Sequence, residues 1–147
     1  MRDINLPLRK AYVKALNNIF YKNKKVGVYY LNAPDDITGK TEFFYIILRG
    51  LNNNESSTKN STDNNARISI EITTWSDKYN DGNACDVIGN EVLIAIADKS
   101  LPMGDDDMQM VSNRVTNDST TDYTVRGQRV YVDRTIIFEH FIYQIKN

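Results

Sequence analysis

"RISIEITTW", residues 67–75, decides the fold. Its strict alternation sets Ile68, Ile70 and Ile72 on one side and Ser69, Glu71 and Thr73 on the other, the period of a β-strand with one buried face. Upstream lies "TEFFYIILRGL", β-branched and aromatic, with Phe43, Tyr45 and Ile47 on one face and Phe44, Ile46 and Leu48 on the other. Both of its faces ask for cover. Between these strands, residues 52–66 ("NNNESSTKNSTDNNA") hold almost no large side chain and are expected to form a mobile polar excursion.

Downstream, "SDKYNDGNACDVIGNE" leads out of the strand, and from Asn83 to about Lys99 Val87, Ile88, Val92, Leu93 and Ile96 recur at helical spacing, with Pro102 soon after. Asp81 or Asn83 is the expected cap. At the N-terminus, Pro7 suits a first helical turn with Asn5 as cap, and Leu8, Tyr12, Ala15, Leu16 and Ile19 follow at spacings of three and four. Val26, Val28 and Tyr30 then alternate as a short strand. The C-terminal part gives a strand near Met108 to Val115, a second polar excursion over 116–128, and "RVYVDRTIIFEHFIYQI", long and apolar on both faces. The expected order is helix, three strands, helix, two strands, in a single domain spanning 1–147.

The candidate chemical motifs fail on their own geometry. A calcium loop begun at Asp77 would have Asp81 and Gly82 in place, but Tyr79 and Ile88 stand where oxygen ligands are required. "TGKT" at 38–41 resembles the tail of a phosphate-binding loop, yet Pro34 occupies the position of its first glycine. His140 is the only histidine, and Glu139 beside it on a strand points to the opposite face, so a structural role is expected. Cys85 is the only cysteine, which excludes an intrachain disulfide and fits a reducing compartment; it reads as a small buried apolar residue. The triple acid Asp105 to Asp107 reads as a solvated turn. No catalytic residue, metal site or cofactor is assigned.

With 147 residues, 41% apolar and 25% charged, the chain can bury roughly 70% of its unfolded surface in one core. A net charge of −1 argues against binding nucleic acid through a strong basic field. No stretch approaches the roughly 20 apolar residues of a membrane helix.

Taken in order, "LRKAYVKAL", "VGVYYLNAPDD", the aromatic strand, "ISIEITTWSDKYNDGNACDVIGNEVLIAIAD" and "RTIIFEHFIYQI" resemble the tail-completion or tail-terminator proteins of tailed bacteriophages, which share the strand ending in Trp-Ser, the short polar loop and the following helix. The resemblance implies an α+β domain, a mostly antiparallel sheet of four to five strands with two helices packed on one face. It also implies a non-enzymatic virion protein forming a homo-oligomeric ring of about six or twelve copies at the head-tail junction or tail end. Portal, adaptor or tail proteins would be its neighbours, and DNA would pass through the lumen without sequence-specific binding. Such a protein is made in the host cytoplasm.

Interface candidates are Phe43, Tyr45, Trp75, Phe141 and Tyr143 on the aromatic strands, with Lys59 and Arg126 in the polar excursions. The alternatives are a small phage enzyme processing nucleic acid with Mg²⁺ at Asp77, Asp81 and Asp105 to Asp107, and a cytoplasmic adaptor that binds one protein through a sheet edge.

Overall fold

The computed structural model describes residues 4–33, 43–57, 61–77, 84–104, 107–124 and 129–145. Helix α1 (Asn5–Ala15) leads into a hairpin of two short strands, β1 (Phe20–Tyr21) and β2 (Lys24–Lys25), then β3 (Gly27–Tyr30), β4 (Phe43–Ser57) and β5 (Ser61–Asp77). Helix α2 (Ala84–Ile96) precedes the closing pair β6 (Met108–Thr124) and β7 (Arg129–Ile145). The main sheet runs β3-β4-β5-β7-β6; β3 is parallel to β4 and every other neighbour is antiparallel. Both helices cover one face, giving a two-layer α+β domain.

Register explains the core. Leu48, Ile70 and Ile136 form one row across three strands, and all are fully buried. Ile46 and Ile72 make the next, with Ile68 and Phe138 on the other side of the first. Against these rows α2 lays Cys85, Ile88, Gly89, Val92 and Ile96, and α1 lays Leu8, Ala11 and Tyr12. Val87, expected inward, is 40% exposed, because the stripe spaced three and four from Cys85 leaves its position facing outward.

Several expectations need correction. Asn5 is not the cap of α1: Ile4 holds that position, buried and with no side-chain capping bond, so packing rather than capping starts this helix. The caps expected at Asp81 and Asn83, and the "TGKT" turn, lie outside the described residues. The excursion expected over 52–66 is largely strand. Asn53 to Ser57 pair with Ala66 to Thr62, and Ser61 to Ala66 pair in turn with Ile145 to His140 of β7. Residues 116–124, also expected as loop, extend β6 along β7. Polar composition weakens intrinsic strand preference, but a long apolar neighbour supplies the pairing.

Gly89 of α2 lies directly against the Arg134 side chain of β7. A Cβ there would sit 2.1 Å from Nη1 and 2.8 Å from Cζ of Arg134. That guanidinium has little room to retreat: its Nε donates to Asp118 Oδ1 at 2.8 Å and its Nη2 to Oδ2 at 2.7 Å. Gly89→Ala gains about 1 kcal/mol of helix propensity but must displace this pair, and a net loss of about 1–2 kcal/mol is expected in urea unfolding. The loss should shrink in an Arg134→Ala background.

Candidate interaction surface

The face of the sheet opposite the helices is where the interface candidates fall. At one end, Phe43 is opposite Trp75, and Phe43 stacks on Tyr45 with centroids 5.8 Å apart. These three form a patch. Phe141 and Tyr143 lie on the same face, but Phe141 is ten residues along β7 from Tyr131, the residue opposite Trp75, or about 33 Å at ordinary strand rise. The five aromatics therefore make two patches. Lys59 and Arg126 lie outside the described residues.

Between the patches the face is polar, which corrects the reading of β7 as apolar on both sides. Arg67, Glu139 and Arg114 align across three strands: Arg67 Nε donates to Glu139 Oε2 at 3.2 Å, and Arg114 Nη2 to Oε1 at 2.6 Å. These two guanidinium groups hold the Glu139 carboxyl below its usual proton affinity. The arginines are exposed, so the bridge adds little stability. The alternation of "RISIE" already put Arg67 on the face of Ser69 and Glu71; only the register brings Glu139 and Arg114 to it.

β4 is also less bare than its sequence suggests, because Tyr45 and Ile47 are buried. They line a groove of about 470 Å³ together with Leu31 and Ala33, which run on from β3, and with Thr73, Asp133 and Thr135. Arg49 pairs with Glu71 at 3.3 Å, while Thr73 donates to Asp133 at 2.8 Å. Burial raises the proton affinity of Asp133, opposed by the Thr73 hydrogen bond and reinforced by the charge of Glu71. In this groove the Thr73 hydroxyl lies against the Asp133 carboxylate, with Glu71 on the same face. Among the described residues no group of three or more His, Cys, Asp or Glu is arranged to hold a metal, and no helix is long and apolar enough to cross a membrane. Asp81, Asp105 and Asp106 lie outside the described residues.

His140 and Cys85 are in the core. Cys85 is 1% exposed, and burial pushes its thiol up to about 12. His140 donates from Nδ1 to the Ala66 carbonyl at 2.9 Å, and the buried Tyr12 hydroxyl bonds to Nε2. This fixes the neutral tautomer protonated at Nδ1. Burial lowers the proton affinity of the ring, against smaller opposing effects of the Ala66 carbonyl and the Glu139 charge. As pH falls below about 6.5 the unfolded chain takes up a proton that the folded chain refuses. Stability should be unaffected by this group above that pH and fall below it, by at most about 1.4 kcal/mol per unit. Urea titrations between pH 7 and 5 should show the slope, and His140→Leu should remove it.

Nearly the whole chain has a counterpart among solved structures. A chain in the structure of the virion of a native gene transfer agent particle superposes with a TM-score of 0.52 at 13% identity, covering 95% of this chain and 90% of that one. A virion chain has this fold. A second solved chain aligns with a TM-score of 0.54 at 12% identity, covering 91% of this chain and 93% of its own length. No protein family and no curated protein matches the sequence.

Proposed function

We propose that this chain is a structural subunit of a virion, one copy in a ring of the tail-terminator or connector kind at a head-tail junction or tail end. The fold shared with a virion chain across nearly the full length of both carries the reading. The order of motifs that resembles tail-terminator proteins supports it, as do the two aromatic patches on the helix-free face. Such a subunit works by packing: no bond is made or broken, and no cofactor takes part. The patch of Phe43, Tyr45 and Trp75 and the patch of Phe141 and Tyr143 meet neighbouring copies or the portal, adaptor and tail proteins above and below. Lys59 and Arg126 belong to the same proposed interface. DNA passes through the lumen unread, in keeping with a net charge of −1.

Quantitative peptide mass spectrometry of purified particles from the source tests this directly. Several copies per particle, near six or about twelve, are expected for a ring component. Clear absence from particles overturns the reading and turns attention to Mg²⁺-dependent nuclease activity and its loss in Asp77→Ala and Asp107→Ala.

A further inference from the structure

We propose that β6 of one copy pairs, antiparallel and edge to edge, with β3 of the next, so that the five-stranded sheet continues from subunit to subunit. This rests on the ring reading and names the surface that builds the ring. Among the described residues the two outer strands, β3 and β6, each have one neighbour in the sheet; along β3 the Val26 N–H already donates to Ile19 and the Tyr30 carbonyl accepts from Asn32, so its open edge centres on Val28.

The β6 edge is built to accept a strand. Bulges interrupt its first half at Met110/Ser112 and Val115/Asn117, but from Asn117 to Thr124 its register against β7 is unbroken. That run, "NDSTTDYT", contains no lysine and no proline, two of the devices that blunt an exposed edge. Of its two acidic residues, Asp118 is bound by Arg134. Every residue from Arg114 to Thr121 is exposed, on both faces of the sheet.

Direction and level select β3 as the occupant. β4 and β7 run the same way, since both are antiparallel to β5; β3 follows β4 and β6 opposes β7. Rotation about a ring axis along the strands preserves these directions, so β6 meets the next copy's β3 antiparallel. The strands also lie level. Gly27 to Tyr30 align with Tyr45 to Leu48, then Thr73 to Ile70, Asp133 to Ile136 and finally Thr121 to Asp118. A sideways step without axial shift places Asp118 opposite Tyr30, whose ring carries the Arg9 guanidinium 4.2 Å above its centroid. Tyr30 and Leu31 are 46% and 44% exposed, and Val115, on the same side of the sheet as Tyr30, is 38% exposed. Two unlike edges give a heterologous contact that propagates, whereas like edges would stop at a dimer.

The test is oxidative cross-linking of the concentrated full-length double variant Ser119→Cys/Tyr29→Cys, with Thr121→Cys/Tyr29→Cys covering a stagger of two residues. Opposed residues in antiparallel strands bring Cβ atoms within about 4.5–5.5 Å, near disulfide reach. Cys85, buried with its thiol pushed up to about 12, will not compete. One of the pairs is expected to give a reducible ladder rising past dimer, with each single variant showing none. Monomer alone, or a ladder ending at dimer, in both pairs overturns the edge pairing. Particle mass spectrometry separates the two ideas. Several copies per particle without a ladder removes the edge pairing and leaves the virion role; a ladder from a chain absent from particles does the reverse.

Discussion

Tyr12→Ala is expected to lower the free energy of unfolding by about 3–5 kcal/mol, and Tyr12→Phe by about 1–3 kcal/mol. The Tyr12 side chain is fully buried, meeting Phe138 edge-on with centroids 6.1 Å apart and the His140 ring at 5.2 Å. Helix α1 has 11 residues and no capping side chain, too short to be stable by itself in water. Its attachment to the sheet must supply what its own hydrogen bonds do not. Alanine at position 12 removes the ring and leaves a cavity; phenylalanine keeps the ring and leaves His140 Nε2 buried without a donor. The second cost should diminish in a His140→Leu background, where no acceptor remains. Chemical denaturation followed by the fluorescence of Trp75, the single tryptophan, reads the four variants against the unsubstituted chain. If Tyr12→Phe costs as much in either background, the hydroxyl is not bonded to the imidazole. If Tyr12→Ala costs under about 1 kcal/mol, α1 is not held by this ring.

How much of this was open to a reader of the sequence depends on how locally each feature is specified. The alternation from Arg67 to Trp75, the α1 stripe as far as Ala15, the α2 stripe apart from Val87 and the final strand over residues 129–145 are written into neighbouring residues, and the structure has them there. The polar stretches 53–57, 61–66 and 116–124 do not read as strand because their strand state is not local. Ser61 to Ala66 are ordered against residues of β7 more than seventy positions away. The same limit governs the interaction surface. Alternation alone gathers Phe43 and Tyr45 on one face of β4, but the distance from Trp75 to Phe141 depends on the β5–β7 register. Arg134 beneath Gly89 is a further case, since nothing in "VIGNE" tells which side chain that glycine accommodates.

The register itself can be tested by neighbouring substitutions on β5. Ile70→Ala should cost about 2–5 kcal/mol, Ile70→Val about 0.5–1.5 kcal/mol and Glu71→Ala within about 0.5 kcal/mol of zero. Ile70 is fully buried between Leu48 and Ile136, on the central strand of the sheet, so its shortened side chain leaves a void bounded on three strands. Glu71 is one position along, on the face without helices, where its partner Arg49 is 3.3 Å away and 44% exposed. Because side chains alternate strictly, a slip of one residue in the pairing of β5 would exchange these two environments. Urea unfolding of the three variants then reports the register without a ligand or a partner. A large loss for Glu71→Ala with a small one for Ile70→Ala would turn Trp75 to the helix-covered face, away from Phe43 and Tyr45 on β4, and so break up the first of the two patches proposed to meet neighbouring subunits.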